Sequence, residues 1–121
     1  VVEPGSSGVG GGGFYLLHVA KENRYTMVDA RETAPAAATR DMYVDENGKV
    51  RRDASRDGPL AAGIPGEPAS WVHLAEKYGN LPLSKSLAPA IRLAREGFPL
   101  YARLQNAIRF KQKQLAASPD A

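Results

Sequence analysis

Cysteine is absent from the 121 residues, so no disulfide framework, thiolate zinc site, iron–sulfur cluster or cysteine nucleophile can exist among them. A long hydrophobic run is also missing. The longest apolar stretch, Phe14 to Ala20 with His18 inside it, falls far short of the ~18 residues of a membrane span, so no membrane contact is expected in this segment. Nor is there an excess of one charge. Sixteen basic residues face thirteen acidic ones for a net +3, too little for the single-sign surface that dominates nucleic-acid binding. Twelve glycines and nine prolines alongside 43% hydrophobic residues stay below the ~25–30% glycine plus proline of low-complexity chains. What is left is one domain's worth of sequence that can bury apolar side chains. It opens on Val1-Val2-Glu3-Pro4 without methionine, which reads as the interior of a longer chain.

Residues 4 to 13 carry glycine at six of ten positions. Each glycine costs conformational entropy on folding, so this density belongs to a shaped loop whose backbone must pack without side chains in the way. Phe14 through Ala20 is short, aromatic-rich and bounded by turn signals, which predicts a buried strand. After the polar connection Lys21-Glu22-Asn23-Arg24, Tyr25 through Ala30 predicts a second strand paired antiparallel with the first. Thr33 ahead of Pro35-Ala36-Ala37-Ala38 predicts an N-cap, an early-turn proline and a short helix. Further strands are expected at about 42–45 and 60–64. Between them lie a turn at Asp45 to Gly48 and a charged loop from Lys49 to Gly58, and Pro65-Gly66 then forms the centre of a type II turn.

From there the periodicity becomes helical. Trp71, Leu74, Ala75 and Tyr78 mark a helix over about 68–78 that Gly79 can end. Ser86 as N-cap, Pro89 in the first turn and a face of Leu87, Ala90, Ile91 and Ala94 predict a second helix over about 87–96, stopped by Gly97 and Pro99. Leu100, Leu104, Ala107, Ile108 and Leu115 predict a third over about 100–115. Strands first and helices afterward is the order of an α+β arrangement.

Several motifs carry possible chemistry. Gly8 to Gly13 satisfies G-x-G-x-x-G, with Asp29 and Glu32 downstream, yet a strand-like run follows where a dinucleotide site needs a helix N-terminus, so the loop reads as packing or site lining. Gly5-Ser6-Ser7-Gly8 is no nucleophile elbow, because Val9 stands where glycine is required. His18 and His73 lack a second histidine at ligand spacing and read as structural, so no metal site is expected. Arg103, Arg109, Lys111 and Lys113 read as the solvated face of the last helix, without interleaved aromatics to stack on bases. Arg31 differs in kind. It stands at the end of a strand between Asp29 and Glu32, and its planar fork suits bidentate capture of a carboxylate. Either it anchors an anionic ligand or it only neutralises its acidic neighbours.

Four stretches in order, Val2-Glu3-Pro4 with Ser6 to Phe14, Asp29 to Ala37, Gly63 to Ala69, and Leu87 to Phe98, resemble signatures of the γ-glutamyltranspeptidase family. The resemblance covers nearly the whole chain. It implies an incomplete segment, residues 1–121, of the large subunit of an N-terminal-nucleophile hydrolase with an αββα sandwich, made as a precursor that cleaves itself. In that family a threonine exposed by cleavage attacks the γ-glutamyl amide of glutathione or another γ-glutamyl compound, and water or an amino acid or peptide resolves the acyl-enzyme. No cofactor is implied.

The resemblance maps the arginine that grips the donor α-carboxylate onto Arg31. Thr26, Thr33 and Thr39 do not match the family's Thr-Thr-His cleavage context, so no catalytic residue is expected here, and the nucleophile belongs to the small subunit, the implied partner. A periplasmic or secreted location follows from the resemblance alone. Related acylases that remove glutaryl groups from cephalosporins are the near alternative. A non-catalytic interaction module, or a basic helical nucleic-acid binder, is the distant one. As a piece of a larger sandwich, the segment is expected to expose apolar surface.

Overall fold

The computed structural model describes residues 1–6 and 8–117. They fall into two compact units, one of Val9–Tyr78 and one of Val1–Gly8 with Gly79–Ala121. In the first, β1 (Gly13–Val19) and β2 (Arg24–Ala30) form an antiparallel hairpin in which Gly13 faces Ala30 and Val19 faces Arg24. A 3₁₀ turn over Ala20–Glu22 reverses the chain, closed by Asn23 in the left-handed conformation at φ 43°. Asparagine tolerates that conformation because its short polar side chain can bond locally. The Glu22 carboxylate, hydrogen-bonded to the Arg24 Nε at 2.9 Å, pushes that guanidinium's pKa further above its usual range.

The hairpin occupies the expected residues, but β1 is not a buried strand. Its exposure alternates. Tyr15, Leu17 and Val19 are half-buried, while Phe14 and Leu16 are 60% and 76% exposed, opposite a β2 face on which Tyr25 and Met27 also stand open. Two strands with one helix packed on β2 can cover only one sheet face, and Ala30 is the buried apolar residue of this unit. That helix is α1 (Glu67–Tyr78). Its start is tied down three times: the Glu67 amide donates to the Gly11 carbonyl at 3.1 Å, the buried Ser70 hydroxyl donates to Glu67 O at 2.6 Å, and the Trp71 indole donates to Glu67 Oε1 at 3.1 Å.

The connection between β2 and α1 departs from the expected strands. Neither 42–45 nor 60–64 is a strand. Val44 makes a single bridge to Val50 around the Asp45 to Gly48 turn, where Asp45 Oδ1 accepts from the amides of Asn47 and Lys49, each at 2.9 Å. Pro59–Ala61 is a 3₁₀ turn, since proline presets its φ, and only Ile64 pairs, with Thr33. That pairing uses the Thr33 backbone, with Ile64 N donating to Thr33 O at 2.8 Å, so Thr33 caps nothing and the alanines after Pro35 form a turn in place of a helix. Gly66 does not have positive φ, which excludes the type II turn at Pro65-Gly66.

The second unit holds α2 (Leu83–Glu96) and α3 (Ala102–Ala116). α2 starts a full turn before Ser86, behind Pro82, because Leu83 belongs to its half-buried stripe of Leu83, Leu87, Ala90 and Leu93. Ile91, expected on that face, is 49% exposed. Pro89 therefore lies inside the helix and not in its first turn. Gly97 ends it at φ 84°, donating to Leu93 O at 3.0 Å. On α3 only Leu104 is buried, and the Tyr101 hydroxyl ahead of it bonds the Val2 carbonyl and the Glu3 carboxylate, holding the N-terminal arm.

Candidate functional site

Where β2 ends at Ala30, the chain leaves the ladder and Arg31 is the first residue beyond it. Its backbone is fixed at once, because the Arg31 amide donates to Asp29 Oδ1 at 3.0 Å. Asp29 thus spends an oxygen on positioning the main chain. The other flanking acid, Glu32, places Oε2 3.5 Å from the Arg31 Nε, beyond ordinary hydrogen-bond length. That oxygen is sealed from water and has no hydrogen-bond partner. The Arg31 side chain is 61% exposed, and at 3.5 Å the pair is a loose contact. The fork stays available to a ligand.

A cavity of about 560 Å³ opens beside it, lined by Gly10, the Arg31 to Pro35 turn, Met42, Tyr43 and the Leu60 to Gly63 segment. Tyr43 keeps its far wall in place by donating to Leu60 O at 3.1 Å. A second recess of about 420 Å³ includes Arg31 with Asp29, Gly66, Ser70 and His73. The arrangement can hold one carboxylate by charge-assisted bonds. It contains no assembled nucleophile and base.

Of the two histidines, His73 lines the second recess and His18 lines neither. His18 stacks on Tyr25 with ring centroids 4.7 Å apart, on the exposed hairpin face, and His73 meets the edge of Tyr78 at 6.3 Å. Among the described residues no three His, Asp or Glu side chains converge as a metal site requires. The basic residues of α3 are exposed, and Lys111 lies over the Phe110 ring at 5.6 Å from its centroid. No helix among the described residues is long and apolar enough to cross a membrane. Sequence reasoning missed Tyr43, whose partner lies seventeen residues away with no spacing signal to announce it.

The chain is similar to several known proteins. The family model for gamma-glutamyltranspeptidase matches residues 1–121. The glutathione hydrolase proenzyme of Bacillus subtilis (strain 168) is 39% identical over 117 residues, which cover 96% of this chain and 20% of that protein. The acylase ACY 1 proenzyme of Pseudomonas sp. (strain V22) is 38% identical over 125 residues, 98% of this chain and 22% of that one. The crystal structure of Helicobacter pylori gamma-glutamyltranspeptidase superposes with a TM-score of 0.94 at 36% identity, over 99% of this chain and 34% of that chain. The strands and the helices after them are thus those of an α+β segment from a family of enzymes. The chain belongs to the γ-glutamyltranspeptidase family. It spans about a fifth of the length of the curated relatives it matches.

Proposed function

We propose that the chain serves a γ-glutamyltransferase and glutathione hydrolase as part of its large subunit, with Arg31 as the anchor of the donor's α-carboxylate. The observation that carries this reading is the state of Arg31. Its backbone is fixed by Asp29 and the residue lines a cavity, while the Glu32 carboxylate approaches its guanidinium only to 3.5 Å. A structural ion pair would hold the fork closed. Here the fork is open, and a carboxylate can take it in bidentate fashion.

The chemistry follows from the family. A threonine hydroxyl, supplied by the small subunit of a cleaved proenzyme, attacks the γ-carbonyl carbon of glutathione. The C–N bond breaks, the amine leaves with a proton, and a γ-glutamyl ester remains on the threonine. Water or an amino group then attacks that ester and frees the hydroxyl. Arg31 contributes by holding the glutamyl head group so that the γ-carbonyl meets the nucleophile. A periplasmic or secreted location accompanies this reading. The similarity to an acylase proenzyme favours a second one, in which the same arginine anchors the terminal carboxylate of a glutaryl group.

Arg31→Lys in the full-length protein tests the anchor. Donor KM should rise by roughly tenfold or more, because an ammonium cannot reproduce the two-pronged contact. Unchanged donor affinity overturns the reading. Relative turnover of γ-glutamyl and glutaryl amides by the same protein decides between the two donors.

A further inference from the structure

Two glycines from distant parts of the chain close on one peptide unit. Gly12, in the glycine-rich loop, lies so near the end of β2 that a Cβ there would overlap the Ala30 carbonyl oxygen and stand 2.9 Å from both the Arg31 Cα and the Glu32 amide nitrogen. Gly66, immediately before α1, comes to the same carbonyl. A Cβ at Gly66 would also overlap that oxygen, and would stand 2.7 Å from the Ala30 carbonyl carbon and 3.0 Å from Arg31 O. The obstacles are all backbone, so any side chain at either position must displace the main chain that carries Arg31. Neither glycine has positive φ, so what these positions require is close approach and not a left-handed backbone. Gly63 repeats the arrangement one residue on, with a Cβ falling 2.9 Å from Glu32 Cβ and 3.4 Å from Thr33 O. By contrast, Gly5, Gly8 and Gly10 would meet nothing within 4 Å.

We propose that Gly12 and Gly66 are positioning residues for donor binding. They act as two jaws that fix the Ala30–Arg31 backbone, and Gly63 sets Glu32 beside it. The jaws are joined to each other, since the Glu67 amide, next to Gly66, donates to the carbonyl of Gly11, next to Gly12. This matters because the Arg31 side chain has little else to orient it: it is 61% exposed and its ion pair is loose. A bidentate contact tolerates errors of only about 0.5 Å, so the placement of the Cα decides whether the fork meets a carboxylate. The inference rests on the anchor role of Arg31 and adds which residues set its position.

The test compares two donors in the full-length enzyme, a γ-glutamyl anilide with a free α-carboxylate and its α-methyl ester. The wild type should prefer the free carboxylate, and Arg31→Lys should erase most of that preference. Gly12→Ala and Gly66→Ala should each reduce the preference on the order of tenfold through a higher KM for the carboxylate donor, with kcat for the ester donor kept. A general folding defect would lower turnover of both donors together, and Gly8→Ala should keep the wild-type ratio. If Arg31→Lys loses the preference while both glycine variants retain it, the positioning role is overturned and the anchor stands. If the wild type shows no preference, both fall. Should neither glycine variant mature, Gly63→Ala decides, because a Cβ there would stand 2.9 Å from Glu32 Cβ and 3.4 Å from Thr33 O, a milder crowding than the overlap with the Ala30 carbonyl oxygen at Gly12 and Gly66. A reduced ratio supports the proposal, and an unchanged one overturns it.

Discussion

The Tyr43 hydroxyl donates to the Leu60 carbonyl oxygen at 3.1 Å, joining two irregular stretches seventeen residues apart, both of which line the cavity beside Arg31. Besides its own 3₁₀ turn, the Leu60 to Gly63 wall is otherwise tied down by the neighbouring Thr33–Ile64 bridge. Tyr43→Phe keeps the ring and removes the donor. We expect a stability loss of about 1 kcal/mol, the usual net worth of one such bond, together with a few-fold rise in donor KM. Thermal melting and donor kinetics of the full-length protein check both. A variant with lower stability but unaltered KM would show that the wall plays no part in binding.

The hairpin was legible in the sequence because two seven-residue strands flank a polar turn, and the arginine followed from its place at the strand end. The apolar run Leu60 to Ile64 misled. Five residues cannot distinguish a strand from an irregular wall, and Pro59 tips the local choice to a 3₁₀ turn. Burial of β1 was misjudged because periodicity tells which residues share a face, not whether anything covers it. The reason for Gly66 was hidden too, since Pro-Gly signals a turn, whereas the demand on it is the carbonyl of Ala30, thirty-six residues earlier.

The uncovered hairpin face leads to a second expectation. Leu16 and Met27 stand directly opposite each other and are 76% and 61% exposed, beside Phe14 and Tyr25. Expressed alone, the 121-residue chain should therefore self-associate through this face. Replacing the pair by Leu16→Glu and Met27→Lys sets opposite charges across the ladder, which supports the hairpin, and removes the apolar surface. Sedimentation should show the wild-type segment as oligomers and the double variant as mainly monomer. Identical sedimentation of the two would place the sticky surface elsewhere.

Pro89 provides the third expectation, through what it takes from α2. The helix runs Leu83–Glu96, so Pro89 is its seventh residue and sits well past the turn in which proline is tolerated. Having no N–H, it leaves the Lys85 carbonyl without the i+4 donor that every other interior position provides, and its ring presses on that same carbonyl. The Leu83, Leu87, Ala90 and Leu93 stripe holds the helix together across this defect. Pro89 is exposed and outside that stripe, so Pro89→Ala should restore the missing bond without disturbing the packed face. We expect the full-length protein to gain about 1–3 kcal/mol and a higher Tm, since proline costs about 3 kcal/mol against alanine inside a helix. A lower Tm would mean that the proline ring itself contributes to seating the apolar stripe, and that the lost hydrogen bond is the smaller of the two effects.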